Sequence, residues 1–215
     1  PGPLLAFLEE QAFKSLLAKV RSRYSDAEGG TGGGAPGEPA PPPSETAYEL
    51  VQDVAALEPW ILEIAEAGTV CVDTETTSVN SMAAELVGIS LCVTPGRACY
   101  IPLGHTGSGA QGQLDLAGDG GGEERPEQIP LEKALALLKP VLEDPAVLKV
   151  GQNLKYDIQV LARYGVEVAP IDDTMVLSYV LEGGLHGHGM DELALLHLEH
   201  ETIKYKDVAG TGKAQ

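Results

Sequence analysis

Two periodicities alternate along this chain. Tyr48 to Val51 reads as a short strand, Asp53 to Glu66 as a helix whose first turns Pro59 limits or kinks, and Thr69 to Asp73 as a buried strand. Leu86 to Val93 and Ala98 to Leu103 flank Thr94-Pro-Gly-Arg97, a turn signal that predicts a hairpin. Leu131 to Glu143 has helical spacing, Leu148 to Gly151 reads as a strand, Asn153 to Tyr164 as a helix, and Val166 to Ala169 as another strand. Asp173 to Leu181 and Asp191 to His200 complete the pattern as helices. The order predicts an α/β fold: a mixed sheet of antiparallel hairpin strands plus parallel strands, flanked by helices.

Two stretches carry neither period. Asp26 to Ser44 is rich in Gly, Pro and Ala with almost no large apolar residues, so it reads as a flexible linker without fixed structure. It divides residues 1–24 from a folded domain at 45–215, with the linker at 25–44. Removing Asp26 to Ser44 is expected to leave that domain folded. Gly104 to Gln128 holds eight glycines between a strand and a helix and is expected to be a mobile loop.

Candidate chemistry begins with Asp73-Thr-Glu-Thr-Thr77, at the end of the apolar run Thr69 to Val72. Residues two apart on a strand share a face, so Asp73 and Glu75 form a carboxylate pair. No Lys or Arg lies within ten residues on either side, which makes a divalent cation the natural partner. An isolated pair of this kind also suits a strand-end turn with solvated acids. On the helix from Asn153 to Tyr164, Leu154, Ile158 and Leu161 form an apolar stripe continued by Val160 and Tyr164, with Lys155, Gln159 and Arg163 opposite. Asp157 falls inside the apolar arc, where an unpaired carboxylate costs several kcal/mol, roughly. Asn153 reads as the N-cap of that helix and lies near the same face.

These residues carry a resemblance. The chain resembles the 3′-5′ exonuclease (proofreading) domains of bacterial DNA polymerase I, members of the DEDD exonuclease superfamily with a ribonuclease H-like fold. Asp73-Thr-Glu-Thr-Thr77 is similar to the family's first motif, and Val150-Gly-Gln-Asn-Leu-Lys-Tyr-Asp157 to its second. The likeness continues through Leu86-Val-Gly-Ile-Ser90, Tyr100-Ile-Pro-Leu103, Asp173-Thr-Met175 and Val208-Ala-Gly210. Leu4 to Leu8 and Phe13 to Leu17 resemble the last helix of a preceding 5′-nuclease domain. The resemblance implies hydrolysis of the 3′-terminal phosphodiester of DNA with two divalent cations, Mg²⁺ or else Mn²⁺ or Zn²⁺. It implies that Asp73 bridges both cations, Glu75 binds the first, and Asp157 serves the second. It places Thr76, Val79, Gln152, Asn153, Tyr156 and Tyr205 along the path of the terminal nucleotides, Val79 as an apolar wedge between bases and Tyr205 as an aromatic contact. For Val79 and Tyr205, loop packing and a surface aromatic are the competing readings.

The sequence departs from the family in one respect. The third motif, Tyr-x-x-x-Asp, occurs nowhere in it, and Tyr205 is followed by Asp207 at the wrong interval. The chain is therefore expected to be a fragment of a longer polymerase, weak or inactive alone and restored by extension to a Tyr-x-x-x-Asp helix. His186-Gly-His-Gly-Met-Asp191 is a possible substitute, but its glycines oppose a regular helix, and Asp191 reads better as a helix N-terminal residue. His105, His197 and His200 show no ligand spacing. A catalytically silent structural domain and a ribonuclease D-like exoribonuclease remain alternatives.

The net charge of −18 opposes long-range attraction to phosphate and predicts weak DNA binding by this chain alone. A frayed single-stranded 3′ end can still be held by stacking and close contacts. The expected partners are that 3′ end and the remaining polymerase domains in cis, in a monomer with no membrane association. Cys71, Cys92 and Cys99 lack paired spacing and read as small core residues of a reducing compartment, placing the protein in the bacterial cytoplasm near the nucleoid.

Overall fold

The structure is a computed structural model and describes residues 2–14, 16, 17, 20, 46–106 and 126–204. The linker, most of the Gly-rich loop, and Tyr205 lie outside these residues. The chain divides into two compact units, one of residues 1–41 with 178–215 and one of residues 42–177.

The second unit is built on a mixed sheet. In chain order it holds β1 (Ala47–Leu50), α2 (Val54–Ala67), β2 (Thr69–Thr76), β3 (Leu86–Thr94), β4 (Arg97–Pro102), α3 (Leu131–Glu143), β5 (Leu148–Gly151), α4 (Lys155–Arg163) and β6 (Ile171–Asp173), preceded in the first unit by α1 (Gly2–Glu10). The strands lie in the order β1-β4-β3-β2-β5-β6. β2, β3 and β4 form an antiparallel meander, while β1, β5 and β6 pair in parallel with their neighbours. The predicted fold class is the one observed.

Local chemistry explains the boundaries. Asp53 caps α2 by accepting from Ala56 N at 2.9 Å, and Gly68, at φ 66°, closes it with a bond to Ile64 O. Leu57, Trp60 and Ile64 point inward from α2, which packs on α3, β2 and β3. Leu135, Leu138 and Leu142 supply the facing side of α3.

Three expectations need correction. The sixth strand is Ile171–Asp173, not Val166–Ala169, because the backbone N–H groups of the earlier segment are taken elsewhere: Val166 by Leu161 O, Glu167 by a Glu143 carboxylate oxygen, and Ala169 by Leu142 O. Asn153 does not cap α4. Its backbone takes a left-handed φ of 61°, and the residue before the helix is Leu154, with no side-chain cap. Of the cysteines only Cys99 is buried; Cys71 is exposed and Cys92 intermediate, and all are free.

The first unit contains the end of α5 (Thr174–Glu182) and α6 (Met190–Leu198). There Lys14 Nζ donates to Leu185 O at 3.0 Å, joining the segment after α1 to the turn after α5. Among the described residues no helix is long and apolar enough to cross a membrane.

Candidate active site

Alternation along β2 sends Val70, Val72 and Thr74 into the core and Cys71, Asp73 and Glu75 to the other face. The sheet register extends that face sideways: Asp73 is level with Ser90 and Tyr100, and Glu75 with Gly88 and Pro102. Tyr100 leans over Gly88, where an added Cβ would lie 2.0 Å from its hydroxyl. That hydroxyl pairs with His105 Nε2 at 2.7 Å. Burial, with Glu75 adding to it, pushes the Tyr100 phenol up to about 12. Sequence reading missed Tyr100 as a neighbour of the acids; the hairpin register was the signal that could have found it.

Asp157 reaches the same end of the sheet from α4. Pairing between β2 and β5 stops at Cys71 and Val150, leaving the far part of β2 without a strand on that side. Asp157 occupies the place. Its Oδ1 accepts Thr74 N at 3.0 Å and Thr74 Oγ1 at 2.5 Å, and the residue is only 4% exposed. Burial pushes its carboxyl above the usual range, the Thr74 bonds oppose that, and Asp173 adds a smaller upward push. Asp73 is affected more. Burial, then Asp157, then Glu75 push its carboxyl up to about 6. The acids therefore act as one electrostatic cluster, and among the described residues none of them has a cationic side chain as an ion-pair partner.

The shift of Asp73 has a sign that can be tested. A carboxyl with a folded pKa near 6 and an ordinary value of 3.8 leaves the folded state holding more protons between those pH values. Its destabilising effect is absent below the ordinary value and complete above about 6. With chelator present, Asp73→Asn is expected to stabilise the protein at pH 8 by about 1 kcal/mol, a figure discounted because one side of Asp73 is open to solvent. Urea unfolding should show the gain vanish toward pH 4, and also when excess Mg²⁺ binds the unmodified protein.

Other candidate residues gather around this cluster. Tyr156 Oη donates to Ser78 O and contacts Thr76 Oγ1, while Thr76 Oγ1 lies 3.1 Å from Ser78 O. These contacts, with Arg163 to Ser81 O and Ala84 O and Ser81 Oγ to Gln159, hold the Thr77–Glu85 loop on α4. The face of α4 opposite its apolar stripe thus supports a loop. At the loop's tip Val79 is 98% exposed, which removes loop packing as its explanation. Gln152 Oε1 accepts from Thr174 Oγ1 at 2.5 Å. Asn153 N donates to Asp173 Oδ1 at 2.9 Å, the same oxygen that accepts Met175 N at the start of α5. Asp173 thereby fixes both the turn before α4 and the next helix, a role sequence reading did not assign. In the sequence it read as the first residue of the helix Asp173 to Leu181 and as part of the likeness at Asp173-Thr-Met175.

The His186 to Asp191 segment makes a different arrangement from the one considered as a substitute motif. Asp191 lies in the first turn of α6 and accepts from Thr202 Oγ1 at 2.7 Å. His186 pairs instead with Glu182, and His197 joins them. His197, which shows no ligand spacing in the sequence, lies 3.2 Å from Oε2 of Glu182, at the end of α5.

A mixed sheet with acids at the end of its central strand β2 and on the adjoining helix α4 has the ribonuclease H-like fold of exonucleases. Residues 48–215 match the 3′-5′ exonuclease family model, and the chain belongs to that family. DNA polymerase I of Rhizobium leguminosarum is 47% identical over 182 residues, covering 80% of this chain and 17% of that protein. DNA polymerase I of Pseudomonas aeruginosa is 38% identical over 216 residues, covering 99% of this chain and 21% of that protein. The chain thus spans about a fifth of the length of these relatives. The crystal structure of Escherichia coli RNase D shares the fold with a TM-score of 0.55 at 16% identity, over 76% of this chain and 36% of that one.

Proposed function

We propose that the chain is the proofreading module of a bacterial DNA polymerase I, cleaving the 3′-terminal phosphodiester of a single DNA strand. The observation that carries the reading is the burial of Asp157 beside Thr74, with Asp157 and Glu75 both close enough to Asp73 to raise its cost of ionisation. A fold gains nothing from this mutual repulsion unless positive charge enters between the acids.

The donor set fits hard divalent ions. Carboxylate oxygens without imidazole or thiolate suit Mg²⁺ or Mn²⁺. Such ions, when bound, acidify a water and offset charge on the phosphate and the leaving oxygen. Asp73, Glu75 and Asp157 would hold them. The protein's own part is positional. Thr74 fixes the Asp157 carboxylate, Asp173 fixes the Asn153 turn, and Tyr156 with Thr76 sets the loop that presents Val79. Val79 would then insert beside the terminal base, while Gln152 and Asn153 continue the strand path; the contact that the resemblance implies for Tyr205 lies outside the described residues. Tyr100 and His105 border the Glu75 side, where the tyrosine hydroxyl can meet a phosphate or sugar oxygen. Residues 1–24 would end a 5′-nuclease domain and 25–44 would link it to this one, in a monomer acting near the nucleoid.

The test compares 3′-labelled single-stranded DNA and RNA of one sequence, with Mg²⁺. The protein used is this chain extended to include a Tyr-x-x-x-Asp segment, alongside its Asp73→Ala variant. Stepwise shortening of DNA from the 3′ end, abolished by the substitution, is the expected result. Preferential shortening of RNA would favour a ribonuclease D-like activity, and no shortening of either would favour a silent structural domain.

A further inference from the structure

Glu182, His186 and His197 bring a carboxylate oxygen and two imidazole nitrogens together, with ligand atoms all within 4.8 Å of one another. His186 Nε2 lies 2.8 Å from Glu182 Oε2, and His197 Nε2 lies 3.2 Å from the same oxygen. Among the described residues this is the one such group. It shares no residue with the carboxylate cluster of β2 and α4.

The hydrogen bonding of His186 gives the group its direction. His186 Nδ1 lies 2.5 Å from Gly187 O. A carbonyl oxygen only accepts, so Nδ1 carries the hydrogen, and a neutral ring turns its Nε2 lone pair toward Glu182 Oε2. Two lone pairs at that distance need something electropositive between them, either a proton or a cation. A ring nitrogen bonded to a backbone carbonyl while its other nitrogen faces a ligand position is the arrangement that orients metal-binding histidines. Glu192 reinforces it by taking Gly187 N at 2.9 Å. The site is partly sheltered, since the His186 side chain is only 11% exposed, and it is open on the His197 side at 49%.

We propose that Glu182, His186 and His197 form a transition-metal site that takes Zn²⁺ or a chemically similar ion and ties the end of α5 to α6. Two imidazoles and one carboxylate suit Zn²⁺, Co²⁺ or Ni²⁺ rather than Mg²⁺. Ligand distances of about 2.0–2.2 Å for Zn²⁺ require the 2.8 Å and 3.2 Å separations from Glu182 Oε2 to open only slightly, and a fourth position stays open to water. The ion would bridge Gly183 to Gly189, a connection whose glycines give it little stiffness.

The test uses the chelator-treated chain in millimolar Mg²⁺, titrated with Zn²⁺ by calorimetry. Cobalt absorption and histidine nitrogen NMR then report the ligands. One Zn²⁺ per chain is expected, with intense tetrahedral Co²⁺ bands and metal-shifted Nε2 resonances of both histidines. His186→Gln and His197→Gln should each weaken Zn²⁺ binding at least about 10–100-fold, and Asp73→Asn should leave it unchanged. Binding that survives both histidine substitutions, or that disappears with Asp73→Asn, overturns the proposal. So does an unmodified protein whose Nε2 resonances stay proton-bound at saturating Zn²⁺, a readout independent of how the variants fold.

Discussion

Asp157→Asn is expected to keep the fold and to lose at least about 100-fold of 3′-nuclease rate, the scale set by removing one charge-stabilising group at other active sites. The amide oxygen can still accept both Thr74 donors, so the two contacts that tie α4 to β2 survive. What disappears is the negative charge. Asp157→Ala removes the charge and also strands the Thr74 N–H and hydroxyl, adding a stability loss of about 1–3 kcal/mol for buried groups left unpaired. Rates on labelled DNA should therefore fall similarly for both variants, while urea midpoints should fall only for the alanine variant. The rate assay uses the chain extended by the Tyr-x-x-x-Asp segment. If Asp157→Asn cleaves DNA as fast as the unmodified protein, the carboxylate serves only to hold the helix and the active-site assignment is wrong.

Much of this arrangement could be read from residue order, for identifiable reasons. Reading Thr69 to Asp73 as a strand put Asp73 and Glu75 on one face, because residues two apart on a strand share it, without any knowledge of the sheet around them. The helical wheel put Asp157 on the buried side because an acid among Leu154, Val160 and Leu161 has no neutral explanation. Boundaries failed where tertiary bonds overrode local pattern. Val166 to Ala169 has strand-like composition, yet its N–H groups go to α3 and α4, whereas Ile171–Asp173 pairs with β5 despite two acids in three residues. Asn153 looked like a cap because asparagine usually is one before a helix. Its left-handed turn depends on Asp173, twenty residues on in sequence, and no local signal reports that bond. The Glu182, His186 and His197 group was hidden in the same way, with two members one helical turn apart and the third on the next helix.

The largest expected loss of stability comes from a residue with no part in the acid cluster. Lys149 in β5 is fully buried, which is rare for lysine, and among the described residues its ammonium forms no ion pair. Its Nζ donates instead to three backbone carbonyls: Asp144 O at 3.0 Å, Val147 O at 2.6 Å, and Ala169 O. Burial depresses its pKa, with the charge of Asp144 opposing the shift. The three carbonyls belong to the turn after α3 and to the segment before β6, so one side chain clamps the connection into β5 to the connection into β6. Lys149→Met keeps the apolar stem and removes every donor. Because it removes one side of the interaction and leaves the acceptors buried, the result should be destabilisation by about 3 kcal/mol and not the neutral outcome of replacing a whole polar group. Loss of the Ala169 tether would also free β6, and with it Asp173, which sets the Asn153 turn. Urea unfolding of Lys149→Met measures the first effect. Amide exchange at Asn153 and Met175, whose N–H groups both bond to Asp173, measures the second. A midpoint equal to that of the unmodified protein, with exchange at both sites unchanged, would show that the clamp contributes nothing and that the carbonyls find water or other donors when the ammonium is gone.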